Sequence, residues 1–212
     1  MSKSADSASS KKTRRKRPRR YLRSRITRNL ILETAQKVFL TDGYSKTTIA
    51  KISEMANVGY GTVYSHFKGK DDILGRVVDN VLEEFYALLN IEFAPTNVKE
   101  ARDIFHNIML SVFKLSEQHR PIMKVYQQAL GQSEAIVAHW QGVQDYFIKN
   151  TKVSIIFSQK KGFAKQFDAV IGSRAYILLV DRFIWEVVNG KVDNVEHLAD
   201  VLTDMVFQGF FN

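Results

Sequence analysis

The sequence predicts an all-α fold of about nine helices. Over most of the 212 residues, apolar side chains recur every three or four positions, as they do along one face of a helix. Glycines interrupt this pattern at Gly43, Gly131, Gly162 and Gly190, and helices commonly end at such positions. No stretch alternates apolar and polar residues with the period of a strand. The hydrophobic content of 45% is enough for one large domain or for two small ones that share a core.

Two helices are predicted first along the chain, of which the second is short. The first runs from about residue 26 to Gly43, because apolar residues follow helical spacing up to that glycine. Thr47 or Thr48 can cap the second helix. The residues expected on the inward face of this second helix are Ile49, Ile52 and Met55.

A tight turn and a third short helix are predicted next. Asn57 and Gly59 tolerate the left-handed backbone that such a turn needs, and Val58 between them is the expected apolar plug. The third helix is predicted from about residue 60 to residue 67. Its residues that can face the first helix are Val63, Tyr64 and Phe67.

Longer helices are predicted to fill the rest of the chain. Asp71 and Asp72 favour a helix start, because acidic side chains interact well with the N-terminal end of the helix dipole. Pro95 ends this helix. The predicted ranges are about 71–93, 98–119, 121–130, 133–159, 166–189 and 195–211.

The positive charge is concentrated at the N-terminal end. Residues 1–28 contain twelve Lys or Arg and one Asp, a net charge of +11, whereas the other 184 residues carry −2. Residues 1–24 have too few apolar side chains for a packed core, so we predict a disordered basic arm. This distribution indicates a polyanionic partner that binds the N-terminal end.

The composition argues against several other functions. The chain has no Cys, which excludes disulfides, thiolate zinc sites and cysteine nucleophiles. Its five His have no ligand-like spacing, so we predict no metal and no cofactor. No nucleophile–base arrangement is visible, which argues against an enzyme. No apolar run approaches the roughly 20 residues that span a bilayer, and no secretory signal is visible. We therefore expect a cytoplasmic protein without a membrane partner.

Residues 47–74 carry the most informative motif, TTIAKISEMANVGYGTVYSHFKGKDDIL. It reads as a helix-turn-helix, because a helix that begins Gly-Tyr-Gly-Thr lets its backbone approach a DNA groove closely. With this motif the chain closely resembles the TetR family of bacterial repressors over residues 26–75. Beyond residue 75 the resemblance is limited to the number and length of the helices. Asn57 replaces a glycine that is usual in the family, and Gly59 replaces a serine or threonine.

The resemblance implies two domains after the arm of residues 1–24. Residues 25–74 would form the DNA-binding domain, and residues 75–212 an effector-binding and dimerisation domain. The third helix would enter the major groove of a double-stranded operator, with Tyr60 placed to read base edges. The implied DNA-binding residues are Thr47, Thr48, Gly59, Tyr60, Gly61, Thr62, Tyr64, His66 and Lys70.

Structural alternatives remain open for these residues. Tyr64 can be a core residue, His66 a surface histidine and Lys70 a solvated charge, and Tyr60 can contact nothing. The basic arm can promote solubility alone, or its residues 14–25 can follow the DNA backbone or enter the minor groove.

The C-terminal part has the features expected of a sensor. Ten of the thirteen residues from Tyr176 to Val188 are apolar or aromatic, so this helix is expected to be buried on two sides. The last helix offers a matching apolar stripe, and we predict a homodimer through the last two helices. The richness in aromatic residues and Met favours a hydrophobic or aromatic effector. The candidate ligand-binding residues are Phe105, Met109, Phe113, Tyr126, Gln127, Trp140, Gln144, Phe147 and Tyr176.

The sequence therefore predicts a ligand-responsive transcriptional regulator, a repressor that binds a palindromic operator as a dimer. The alternative is a DNA-organising protein that has no effector and coats DNA through its basic arm.

Deletion of residues 1–20 should weaken DNA binding and flatten its salt dependence. Each phosphate that the arm neutralises adds about −0.9 to the slope of log K against log salt. Titrations at several salt concentrations measure this slope, and an unchanged slope would show that the arm does not contact DNA.

Overall fold

The computed structural model describes residues 17–90 and 92–210, and this part of the chain forms nine α-helices without a β-strand. The all-α prediction is confirmed. The helices are α1 (Arg17–Lys46), α2 (Ile49–Met55), α3 (Tyr60–His66), α4 (Lys70–Ala87), α5 (Val98–Gln118), α6 (Arg120–Leu130), α7 (Glu134–Lys160), α8 (Ala169–Val188) and α9 (Val195–Phe210).

Helix α1 starts earlier than the sequence indicated and is kinked near its end. Residues 17–24, which we predicted to be disordered, are helical, while residues 1–16 of the predicted arm lie outside the described part. The kink is at Gly43, whose φ of 74° favours glycine. A Cβ atom at Gly43 would also lie 3.1 Å from Oε1 of Gln128 in α6. Glycine therefore permits both the bend and the close approach of α6.

The helix-turn-helix is formed by α2 and α3. Thr48, not Thr47, caps α2, since its side chain accepts a hydrogen bond from the amide of Lys51. Asn57 adopts the expected left-handed backbone with a φ of 50°. The prediction that Met55 faces inward is wrong, because more than half of Met55 is exposed and only Ile49 and Ile52 of the predicted face are buried.

The remaining helices follow the predicted order. Helix α4 ends at Ala87 instead of residue 93, since the amides of residues 88–90 bond to carbonyls three residues back and tighten the chain into turns. Side chains cap the next long helices: Asn97 caps α5, Ser133 caps α7 and Asp168 caps α8. Within the described residues no helix is both long enough and apolar enough to span a membrane.

One continuous hydrophobic core joins the helix-turn-helix to the C-terminal helices. Helix α1 packs against α2, α4 and α6, and α4 also contacts α5 and α7. The buried apolar side chains form a single cluster that extends from Ile31 in α1 to Phe207 in α9. The N-terminal helices are therefore connected to the rest of the protein through packed side chains, and α4 takes part on both sides.

Candidate functional site

The N-terminal tip of α3 projects from the body of the protein. Gly59, Tyr60 and Gly61 are exposed, whereas Val63 and Phe67 are almost fully buried and hold the helix against the core. Thr62 is half-buried beside the tip. The arrangement presents a short helix end-on, as insertion into a DNA groove requires.

The two glycines at this tip are not required by the fold. Gly59 has an ordinary extended backbone with a φ of −63°, so the left-handed conformation that we expected there is wrong. A Cβ atom at Gly59 would meet only Oγ1 of Thr62 at 3.4 Å, and one at Gly61 would have no neighbour within 4 Å. Neither backbone conformation nor packing therefore demands glycine at these two positions.

Tyr60 and Tyr64 form a pair on the exposed side of α3. Their ring centroids are 5.1 Å apart and their hydroxyl oxygens 3.3 Å apart. Tyr64 is 48% exposed, which rules out the alternative that it is a core residue. The hydrogen bond with Tyr60 raises the pKa of the Tyr64 hydroxyl above its ordinary value. The Tyr64 phenol therefore keeps a proton that it can donate to a phosphate or a base.

Four further residues that were predicted to contact DNA differ in their exposure. Thr47 is 1% exposed and its hydroxyl donates to the Gly43 carbonyl at 2.7 Å, so the predicted phosphate contact at Thr47 is wrong. Thr48 is exposed at the start of α2, and His66 is half-buried at the end of α3. The ammonium of Lys70 donates to the Tyr44 carbonyl at 3.0 Å and lies 4.1 Å from the Tyr44 ring centroid. Lys70 is thus held within the fold rather than simply solvated.

A carboxylate bridges the helix-turn-helix to the C-terminal helices. Asp71 in α4 accepts hydrogen bonds from the Tyr44 hydroxyl at 2.5 Å and from the Ser133 hydroxyl at 2.7 Å. Burial, followed by the bond to Asp71, raises the pKa of Tyr44 to about 12, so its proton stays in place at neutral pH. The end of α1, the start of α4 and the start of α7 are therefore fixed to one another.

A second set of hydrogen-bonded side chains connects α4 to α6 and α7. It consists of Asp79, His139 and Tyr126, and we call it the relay. Nε2 of His139 lies 2.9 Å from Oδ1 of Asp79, and its Nδ1 lies 2.5 Å from the Tyr126 hydroxyl. Since a carboxylate can only accept, Nε2 of His139 donates to Asp79, and Nδ1 shares the second hydrogen bond with the Tyr126 hydroxyl. Burial raises the pKa of Tyr126, which favours the protonated phenol in this role. Sequence reasoning missed the relay.

A small apolar cavity of about 50 Å³ lies among α4, α5, α7 and α8. Three of the predicted ligand-binding residues line it, namely Trp140, Gln144 and Phe147. The full lining is Leu82, Phe85, Val112, Trp140, Val143, Gln144, Phe147, Ile177, Val180, Asp181 and Ile184. We call this the central cavity.

The other predicted ligand-binding residues lie elsewhere. Phe105 and Tyr176 line a separate cavity of about 160 Å³ between α5, α7 and α8. Met109, Phe113 and Tyr126 are almost fully buried in the core, and the half-buried Gln127 lines neither cavity. Aromatic and Met residues were therefore too general a signal, because most of them pack the interior.

Asp181 is the charged residue of the central cavity, and sequence reasoning did not select it. The indole Nε1 of Trp140 donates to Oδ1 of Asp181 at 3.0 Å. Burial raises the pKa of the Asp181 carboxyl, although hydrogen bonds from Trp140, Gln144 and Trp185 oppose that change. A carboxylate in a mostly apolar stretch of α8 was the available sequence signal.

An exposed apolar face extends over α8 and α9. Ile171 and Leu178 of α8 and Val201 and Met205 of α9 are all between 42% and 67% exposed. On each helix these residues lie on one side, at spacings of seven and of four positions. We call this surface the C-terminal face.

Comparison with known proteins identifies the family. The protein-family sequence model described as "Bacterial regulatory proteins, tetR family" matches residues 31–77, the segment that contains α2 and α3. Residues 31–77 form a DNA-binding helix-turn-helix domain of the TetR family. The chain is a transcriptional regulator, and members of this family are generally not enzymes.

The similarity of this chain to individual relatives covers most of its length in one case and only a short segment in another. It is 25% identical over 187 residues to the HTH-type transcriptional regulator YhgD of Bacillus subtilis, which covers 86% of this chain and 95% of YhgD. It is 37% identical to TtgR of Pseudomonas putida, but over only 57 residues, or 27% of each chain. The solved SmeT–triclosan complex shares the fold, with a TM-score of 0.71 at 20% identity over 88% of this chain and 92% of SmeT.

Substitution Gly61→Ala should stabilise the protein and weaken operator binding. Alanine in a helix is favoured over glycine by roughly 1 kcal/mol, and the space around position 61 is empty. The same methyl group would separate the α3 tip from DNA and lower the operator affinity by about fivefold. Thermal unfolding and DNA titration measure the two effects.

Gly142→Ala in α7 is the matched control, because position 142 is also an exposed helical glycine with no neighbour within 4 Å. It should stabilise the protein and leave DNA binding unchanged. If Gly61→Ala binds the operator as well as the parent does, the glycine has no role in DNA approach.

Proposed function

We propose that this regulator is a dimeric repressor that binds a palindromic operator through α3 and is released by a small apolar effector. The observation that carries the proposal is the exposed α3 tip, with two glycines that the fold does not need. Such a tip has a use only if another backbone or a base edge comes within contact distance.

Some DNA contacts would recognise bases, and others would position the protein on the phosphate backbone. Tyr60 and Thr62, at the start of α3, would lie against base edges, with the backbone of Gly59 and Gly61 closest to the groove. Tyr64 and Thr48 would donate to phosphates on either side. Most contacts of this kind position the protein and do not select a sequence. The exposed Arg23 and Arg25 of α1 would add electrostatic attraction to the backbone.

The C-terminal face would bring two copies together. Exposed side chains such as Leu178 and Met205 remain in water in one copy, and pairing the faces removes them from it. A four-helix contact of this type orients the two α3 tips to the same side. Operator half-sites about 34–36 Å apart, one turn of DNA, then match the two-fold symmetry of the dimer.

Helix α4 would carry the effector signal. Its Leu82 and Phe85 line the central cavity, and its Asp71 is bonded to the end of α1 at Tyr44. An effector that enters the cavity would favour one position of α4 and so one spacing of the α3 tips. The related SmeT forms a complex with triclosan, which supports an apolar, aromatic ligand class for this fold.

A footprint on genomic DNA fragments tests the function directly. A single protected palindrome of two half-sites supports the repressor. Protection that spreads without sequence preference would support the alternative, a DNA-coating protein that uses its basic arm. Loss of the footprint with small apolar compounds would then identify effectors.

Substitution Leu178→Asp should convert the dimer into a monomer. A charge at the centre of an apolar interface is left buried without a partner, which is strongly unfavourable. Sedimentation at micromolar concentration measures the oligomeric state. Val153→Asp is the matched control, because Val153 in α7 is exposed to a similar degree but lies outside the C-terminal face. A dimeric Leu178→Asp variant would contradict the proposed interface.

Substitution His139→Ala should loosen the connection between α4 and α7. It removes the link from Asp79 to Tyr126, so amide hydrogen exchange in α4 should accelerate by about tenfold, the change that a loss of roughly 1.4 kcal/mol of local stability produces. The control is His106→Ala, which breaks another His–carboxylate pair, with Asp200, between α5 and α9. Equal exchange rates in α4 for both variants would exclude a special role for the relay.

A further inference from the structure

The central cavity combines an apolar wall with one carboxylate. Among its described lining residues, Asp181 is the single charged side chain and Gln144 the single neutral amide. The other lining residues are aliphatic or aromatic. A carboxylate in such surroundings has lost much of its hydration, which is unfavourable unless hydrogen bonds or a positive charge compensate.

The compensation that the protein itself supplies comes from neutral groups. Asp181 accepts hydrogen bonds from the Trp140 indole, at 3.0 Å, and from Gln144 and Trp185. The next residue in the chain, Arg182, lies with its guanidinium 2.5 Å from Glu186 on the exposed side of α8. Burial also raises the pKa of the Asp181 carboxyl, which agrees with a poorly solvated carboxylate. The described lining of the cavity gives Asp181 no cationic side chain as a partner.

We propose that the effector of this regulator is an apolar, aromatic amine whose ammonium group pairs with Asp181 while its body occupies the central cavity. This inference rests on the proposed function and names the ligand class of that site. The ammonium would offset the desolvated charge of Asp181, and a charge-assisted hydrogen bond of this kind is about twice as strong as a neutral one. The rings of Phe85, Trp140 and Phe147 add attraction for a cation through their faces.

The size of the cavity determines how such a ligand enters. A volume of about 50 Å³ holds a few water molecules but not a substituted benzene ring. The ligand must therefore displace the Trp140 ring, which packs at 5.8 Å from the Tyr126 ring and 5.2 Å from the Trp185 ring. Tyr126 belongs to the relay, so the displacement reaches Asp79 and α4.

Two other ligand classes fit the cavity less well. An anion would meet the carboxylate and no cationic side chain among the described lining residues. A neutral apolar molecule would bury the charge of Asp181 still further without compensating it. The charge of the ligand should therefore decide affinity among molecules of equal shape.

Three compounds of similar shape test the proposal: 4-tert-butylbenzylamine, 4-tert-butylbenzyl alcohol and 4-tert-butylbenzoate. Calorimetric titration of the full-length dimer at pH 7 should show that the amine binds at least about tenfold more tightly than the alcohol. The benzoate should bind most weakly. Both tryptophans of the chain lie at this site, so binding should also change the intrinsic fluorescence.

The decisive variant is Asp181→Asn, which keeps the shape and a hydrogen-bond acceptor for Trp140 but removes the charge. It should bind the amine and the alcohol with affinities that differ by less than about twofold. Its melting temperature at pH 7 should be equal to or above that of the parent, because a poorly solvated charge is lost. Asp145→Asn, at an exposed position of α7, is the matched control and should keep the preference for the amine.

The outcomes separate this inference from the proposed function. Equal binding of amine and alcohol by the parent, a preference that persists in Asp181→Asn, or binding of none of the three compounds would overturn the amine assignment. Operator release is measured separately on the footprinted DNA. Release of the operator by the alcohol but not by the amine would support the repressor function and contradict the proposed ligand class. Asp181-dependent binding of the amine without release would support the site and contradict effector control.

Discussion

Helix α4 packs against the N-terminal helix α1 and against the C-terminal helices α5, α6 and α7, and the rest of the structure depends on this constraint. Near its start it packs with α1 behind the DNA-binding tip, and near its end Leu82 and Phe85 form part of the cavity wall. Because protein interiors are close-packed, such a helix cannot move at one end while the other stays fixed. Asp71 and Asp79 add directional bonds at two points along it. In the proposed function, a shift of α4 at the cavity would therefore be transmitted to the end of α1, where Asp71 bonds to Tyr44.

The molecule gives up stability at the places where we assign function. Gly61 weakens a helix of only seven residues, although the fold would accept a side chain there. Asp181 places a charge against apolar walls, and Leu178 exposes an aliphatic side chain to water. Each choice is unfavourable for an isolated folded copy, and in the proposed function the binding of DNA, a ligand or a second copy would compensate for it. This pattern is expected where local rules are broken at functional sites.

The sequence predicted the helices well and the contacts between them poorly. The apolar period and the glycine breaks located the helices, and the Gly-Tyr-Gly-Thr motif located the exposed tip. The choice between Thr47 and Thr48 as the cap was not predictable, because both are capping residues and only the backbone direction separates them. The pairs Trp140–Asp181 and His139–Asp79 join residues 41 and 60 positions apart, and no local pattern encodes such contacts.

The distance between the two α3 helices in the operator-bound dimer tests the central claim most directly. The chain has no Cys, so Ser65→Cys on the exposed side of α3 gives one spin-label site in each copy. Pulsed dipolar spectroscopy should then give one narrow distribution centred at about 35–40 Å, one turn of DNA plus the label linkers. A distribution below about 20 Å, or no dipolar interaction between the copies, would contradict the account.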